Sequence, residues 1–258
     1  MDTINDNQNI NDPKTNMGDV YDEFAQKFSE ADKLPTWKYV GKPALVKLLK
    51  DFFNRKDITF LDMGSASGRV EEHLLLKNGV PAKNITGVEI SPDQVEIAKA
   101  RLPEVNFMVG DITQVVLPDE SFDVALSHMV FEHLDDEGLL SASKIAFNAL
   151  KSGGVFAFVV THPDKMTNLD GSLVEGYGSF ITSAPWGGEL LNWRRKVEDT
   201  STILKKAGFV IDSVEELKFP EPTSDIDPEV MEEFMKSYKK YSAYPAIRLA
   251  VRATKPKA

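Results

Sequence analysis

The 258-residue chain contains no cysteine. That excludes disulfides, thiolate metal sites and catalytic thiols together. Histidine is scarce, with four in the whole chain, so a neutral-pH acid or base has few places to be. Positive charge is short as well. Thirty Lys and Arg face 40 Asp and Glu, for a formal net charge of −10. Such a chain repels phosphate backbones at long range. Its compact basic candidates are only Arg194, Arg195, Lys196, Lys205 and Lys206, and nucleic acid is not expected as a partner. Long apolar runs are missing too. None approaches the roughly 20 residues that span a bilayer, so no membrane partner is expected. Residues 1–16 are rich in Asn and Asp and lack the basic and apolar parts of a secretory signal. They read as a disordered tail, and the expected location is cytoplasmic.

What is present suits a folded α/β protein. Hydrophobic residues make up 42% and charged residues 27%, the balance of an ordinary soluble domain. Residues 18–30 read as a short amphipathic helix with Val20, Phe24 and Phe28 on one face, and 41–54 as a second helix. From residue 58 apolar strands alternate with helices. Strands are expected at 58–63, 84–90, 105–109, 122–127, 155–161, 209–217 and 246–253. Helices are expected at 69–78, after Ser91, at 135–151 and at 197–207. Ser91, Pro92 and Gln94 form a helix-start signal, while Gly153 and Gly208 read as stops. The pattern implies a mostly parallel sheet of seven strands with helices on both faces, its last pair breaking the parallel order. Segments 163–196 and 219–245 stand outside the alternation.

The strongest motif closes the first strand: Asp62-Met63-Gly64-Ser65-Ala66-Ser67-Gly68. Small residues there let the backbone approach a ligand, and the following helix offers free N–H groups to an anion. A phosphate-binding P-loop needs Gly-Lys-Ser/Thr, which Gly68-Arg69-Val70 is not. The spacing also fits a dinucleotide fingerprint poorly. A compact ligand carrying a carboxylate and a nucleoside remains. Glu89 ends the second strand, where a carboxylate can accept from both ribose hydroxyls. Asp111 follows the third strand and can accept from an adenine amino group.

Together these residues resemble the class I S-adenosylmethionine (SAM)-dependent methyltransferases, in the small-molecule branch, over roughly 100 residues from Phe60 to Phe156. Asp62 to Gly68 match the family's Asp-x-Gly-x-Gly-x-Gly loop, with Ala66 at the middle glycine. Phe122-Asp123-Val124 and Leu150 to Gly154 match two further family segments. The resemblance implies a Rossmann-like fold and SAM as cofactor, with S-adenosylhomocysteine as product. It implies cofactor contacts at Asp62, Gly64, Ser65, Ala66, Gly68, Glu89, Ile90, Asp111, Ile112 and Ser127. It also implies that Tyr21, in Tyr21-Asp22-Glu23-Phe24-Ala25, closes over the cofactor.

Three of the four histidines, His128, His133 and His162, follow the fourth and fifth strands, where an acceptor should sit. They are the candidate bases; His73 reads as a helix-surface residue. Glu132-His133 resembles the metal-binding pair of ubiquinone-biosynthesis O-methyltransferases, but Met129 stands where those carry a further Glu, so no metal is expected. Segment 163–196 carries Tyr177, Phe180, Trp186 and Trp193 among glycines and reads as a substrate lid. Tyr177, Trp186 and Trp193 are the candidate substrate contacts, with Trp37 and Tyr39 as further lid residues. Segment 219–245 reads as a helix from Asp227, with Val230, Phe234, Tyr238 and Tyr241 at helical spacing.

The expected organisation is a tail at 1–16, cofactor-covering helices at 17–57 and the SAM-binding domain at 58–258. The expected activity is methyl transfer to oxygen, nitrogen or carbon of a small molecule, by a monomer or homodimer. The rivals are a SAM-binding cyclase or decarboxylase, an RNA methyltransferase and a non-catalytic SAM-binding protein.

Overall fold

A computed structural model describes residues 17–30, 34–184, 186–224, 226 and 228–257. The tail 1–16 and the expected helix start Asp227 lie outside the described residues. The chain builds a sheet from β1 (Phe60–Met63), β2 (Ile85–Glu89), β3 (Asn106–Val109), β4 (Phe122–His128), β5 (Leu150–Thr161), β8 (Val210–Leu217) and β9 (Arg248–Thr254). Its order is β3-β2-β1-β4-β5-β9-β8. The first five strands are parallel, and β9 pairs antiparallel with both β5 and β8. The strand order reverses between β1 and β4. Loops leaving these neighbours part in opposite directions and open a crevice at the carboxyl edge.

Successive side chains of a strand point to opposite faces, and the core divides accordingly. Phe60, Val124 and Ala157 join one cluster with Leu45 of α3 (Lys42–Leu49) and Val95 of α4 (Pro92–Arg101). Leu61, Ala125 and Phe156 join another with Leu139 of α5 (Asp136–Ala149) and Leu204 of α6 (Val197–Lys206). Both faces are covered, as a parallel sheet requires. The Ser91 hydroxyl caps α4 by accepting from the Gln94 N–H at 3.1 Å, with Pro92 at the first turn.

Five local expectations change. The helix expected at 69–78 is a π-turn at Glu71–Leu75 followed by a 3₁₀ turn at Leu76–Asn78. The first helix is two, α1 (Met17–Glu23) and α2 (Ala25–Glu30), interrupted at Phe24. The second is an α-helix only over α3, preceded by a π-turn at Trp37–Gly41 and followed by a 3₁₀ turn at Lys50–Phe52. Helix α5 stops at Ala149, because Leu150 already pairs with Phe122; Gly153 lies inside β5. The insert 163–196 contains a separate hairpin, β6 (Gly178–Ser183) paired antiparallel with β7 (Glu189–Arg194). Helix α7 (Pro228–Tyr241) forms in the later insert and buries Phe234 against Phe219 and Tyr39. No described helix is long and apolar enough to cross a membrane.

Candidate active site

The loop after β1 turns on Gly64, whose φ is +88°, and its N–H donates to the Val88 carbonyl at 2.8 Å. A side chain at Gly64 would collide with Val130, so glycine is required both by conformation and by space. Ala66 takes a φ of +45°, in the left-handed region. That turn aims its N–H at the Glu89 carboxylate, 2.9 Å away. The Ser91 N–H reaches the other Glu89 oxygen at 3.0 Å. Glu89 is only 6% exposed, and burial raises its pKa against the lowering effect of these backbone donors. Asp111 accepts from the Thr113 N–H and hydroxyl at 2.8 and 2.7 Å and from the Gln114 amide at 3.1 Å.

Asp62 and Glu71 are fully buried, and neither carboxyl meets a conventional donor among the described residues. They interact with each other, so that a proton on one carboxyl satisfies both. Burial pushes Asp62 up to about 7 and Glu71 well above the usual carboxylate range, where it keeps its proton beside Asp62.

A cavity of about 530 Å³ runs along the carboxyl edge, within the range of small-molecule sites. Of the expected residues, Tyr21, Gly64, Ala66, Glu89, Ile90, Asp111, Ile112, His128, His133 and Trp186 line it, with Trp37 and Phe180. Asp62, Ser65, Gly68 and Ser127 do not. The Ser127 hydroxyl donates to the Met63 carbonyl at 2.6 Å and ties β4 to β1. Tyr177 lies outside the cavity, 59% exposed, under Arg194 and Lys196. Trp193 lines a separate small void behind Glu132 and Thr161.

The three candidate histidines differ. His162 is 2% exposed and faces away from the cavity. Its Nδ1 accepts from the Asp164 N–H at 3.2 Å, and its Nε2 lies 3.3 Å from the Glu216 carboxylate. It caps the turn Pro163–Lys165. His133 lines the cavity with both nitrogens engaged. The Leu191 carbonyl, 3.0 Å from Nδ1, can only accept, so Nδ1 carries the proton and Nε2 accepts from the Tyr21 hydroxyl at 3.1 Å. His128 lines the cavity, and its Nε2 is shut from solvent without a hydrogen-bond partner, as is the Nε2 of His162. Burial, Arg248 and Arg69 hold its pKa well below the usual value, so the ring is neutral at pH 7. It packs edge-on against Trp37 at 4.7 Å, and only a glycine at position 41 leaves room for it.

Other lining residues were not singled out as site residues from sequence. Arg248, Lys165, Glu132 and Tyr244 lie at the end of the cavity beside His128 and Thr161, with Tyr241 of α7. Arg248 opens β9 between Thr161 and Leu217. Because β9 runs antiparallel, its first residue stands at the carboxyl edge of the parallel strands. The available sequence signal was a lone charge inside an apolar run, Ala246-Ile247-Arg248-Leu249-Ala250-Val251. Among the described residues no three His, Asp or Glu side chains gather to hold a metal ion.

Two elements roof the cavity. Asp22 of α1 accepts from the Ser91 hydroxyl and from the Asp93 N–H at 3.2 Å, docking the helix on the start of α4. The turn between β6 and β7, at Gly187 and Gly188, lies flat against Phe24, where any side chain would collide. Trp186 meets Phe28 edge-on at 4.7 Å and Tyr21 at 6.1 Å. Arg194 and Arg195 are spent internally. Arg194 donates to the Pro163 and Gly176 carbonyls and pairs with Asp164, and Arg195 donates to the Phe131 and Leu134 carbonyls and pairs with Asp136.

Sheet order, crevice and cavity define a Rossmann-like protein that binds its ligand at the strand tips. Residues 61–158 match a family model described as a methyltransferase domain. An uncharacterised methyltransferase of Anoxybacillus flavithermus is 33% identical over 39% of this chain and 46% of its own length. Trans-aconitate 2-methyltransferase of Rhizobium rhizogenes is 29% identical over 49% of this chain and 45% of its own. The chain thus spans about half the length of these curated relatives. A SAM-dependent methyltransferase from Mesorhizobium loti superposes with a TM-score of 0.63 at 20% identity, over 86% of this chain and 99% of that one. A [4+2]-cyclase superposes at 0.64 with 18% identity, over 95% and 97%. Residues 61–158 thus match a methyltransferase domain, and the chain shares the fold of SAM-dependent methyltransferases.

Proposed function

We propose that this protein transfers a methyl group from SAM to a small organic acceptor. The observation that carries the reading is the single cavity joining the Glu89–Asp111 strand tips to the pocket of His128 and Arg248 beneath a closed roof. The cofactor's shape fits one end of it. The Gly64–Ala66 turn leaves space for an amino-acid moiety, Glu89 presents a carboxylate to the ribose hydroxyls, and Asp111 offers a lone pair to the adenine beside Ile90 and Ile112. When bound, SAM supplies a methyl carbon on a positively charged sulfur, which an acceptor lone pair displaces to leave S-adenosylhomocysteine.

The protein's own part is to orient and to exclude water. Tyr21 and Trp186 close the roof. Neutral His128 lines the acceptor end of the cavity and positions the acceptor there, with its Nε2 packed on Gly41. His133 holds the roof through Tyr21, and His162 acts as a cap. The relatives' names cover acceptors as different as trans-aconitate, ajmaline, malonyl-[acyl-carrier protein] and arsenite, so they do not converge on one acceptor.

Calorimetric titration with SAM and S-adenosylhomocysteine tests the reading. Wild type should bind both in the micromolar range, and Glu89→Ala should weaken binding tenfold or more. No binding of either ligand to folded protein would overturn it. Appearance of S-adenosylhomocysteine on turnover separates methyl transfer from cyclase chemistry on the same fold.

A further inference from the structure

The acceptor end of the cavity holds more charge than methyl transfer needs. Arg248 is 5% exposed, and its Nε has no partner. Its Nη1 donates to the Ile247 carbonyl at 2.9 Å. No carboxylate among the described residues forms an ion pair with it. Lys165 also lines the cavity, with its Nζ over the Tyr241 ring at 5.3 Å. Glu132 stands in the same pocket. One of its oxygens accepts from the Thr161 hydroxyl at 3.1 Å, and the other is buried without a partner. These charges are near enough to bias one another, yet they are not paired. A buried guanidinium without an anion is costly to keep, and a bound anion would offset that cost.

Taken with Glu132, Arg248 and Lys165 leave one positive charge, to which the exposed Lys240 at the same end adds, so the pocket complements an anion. The surrounding wall is largely apolar or aromatic: Trp37, Met129, Met166, Phe180 and Tyr241. A planar guanidinium fork matches a carboxylate with two parallel hydrogen bonds. Resting on the methyltransferase reading above, we propose that the acceptor is an organic monocarboxylic acid whose carboxylate is held by Arg248 and Lys165, with its hydrocarbon part against the aromatic wall. Arg248 is the anchor and Lys165 the second donor.

Lys165 also makes the site sensitive to pH. Burial, Arg248 and Lys240 lower its ammonium to about 7, opposed by Glu132; Tyr241 packs on it, and His128 nearby is neutral. Above that pH the second cation is lost, and affinity for an acid falls.

The test titrates protein saturated with S-adenosylhomocysteine, and cofactor-free protein in parallel. The ligands are benzoate, 3-phenylpropionate and hexanoate, each against its primary amide, with inorganic phosphate as a further arm. At least one acid should bind tenfold or more tightly than its amide at pH 6.5, and less tightly at pH 8.5. Arg248→Met should remove that preference, Arg248→Lys should keep part of it, and Lys165→Met should abolish the pH dependence. All three should bind S-adenosylhomocysteine like wild type, which shows that they fold. Equal binding of acid and amide, no binding of any acid, a preference for phosphate, or unchanged affinity in both methionine variants would each overturn the proposal. Failure to bind S-adenosylhomocysteine overturns the methyltransferase reading instead; the acid–amide difference in the cofactor-free arm still decides the anion site.

Discussion

Ala66 stands where the family carries its middle glycine, and it does so at a φ of +45°. A Cβ in that region costs roughly 1–2 kcal/mol, while glycine restores about 0.4–1 kcal/mol of unfolded-state freedom that must be lost on folding. Ala66→Gly should therefore stabilise the fold by a few tenths to about 1 kcal/mol, read as a higher urea midpoint at unchanged slope. An unchanged or lower midpoint would show that the loop relaxes around alanine. The acids at the strand tips were legible from sequence because each ends an apolar run next to a turn, and Glu89 and Asp111 do line the cavity. The bases were less legible. His128, His133 and His162 all follow strand ends, but sequence does not say which ring nitrogen finds a partner. Arg248 and Lys165 lie far apart in sequence and meet only because the sheet ends in an antiparallel strand.

At the scale of elements, the roof decides how ligands enter. Helix α1 and the β6–β7 hairpin meet through Tyr21 and His133, through Trp186 and Phe28, and through Phe24 against the Gly187–Gly188 turn. Asp22 docks the helix on Ser91 and Asp93, and the Tyr21 hydroxyl on His133 Nε2 is the separate polar tie between helix and hairpin side. Tyr21→Phe keeps the ring packing and removes that bond, which is worth about 0.5–1.5 kcal/mol. Cofactor dissociation should quicken by severalfold in stopped flow, with little change in thermal stability. A dissociation rate equal to wild type would mean that aromatic packing alone holds the roof. The hairpin was not foreseen. Its strands mix Ser, Thr, Asn and Glu with apolar residues, and its glycines read as a loop, because pairing outside the main sheet leaves both faces half-wet. Outside the two inserts, the strands from residue 58 onward were legible, since both sheet faces are covered and the apolar runs are continuous. The break at Phe24 was hidden because its side chain keeps the helical face although the backbone does not.

For the whole molecule, the shared proton of Asp62 and Glu71 ties stability to pH. In the unfolded chain both carboxyls titrate near 4. In the folded chain burial holds Asp62 at about 7 and raises Glu71 well above the usual carboxylate range. Between those values the folded state binds more protons than the unfolded one, so stability falls as pH rises. The pair's contribution is fully present below about pH 4, and Asp62's share is lost on passing 7. The net charge of −10 pushes in the same direction through self-repulsion, so wild type alone cannot assign the effect. Glu71→Gln separates the two. Glutamine fills the same space and donates to an ionised Asp62 without a proton to hold, while the surface charge is untouched. Melting temperatures at pH 5.5 and 8.0 should fall less with pH in the variant than in wild type. Every kcal/mol removed from the difference corresponds to about 2–4 °C in a protein of this size. Equal slopes would place the pH dependence on the surface and leave the buried pair as a packing feature of the glycine loop.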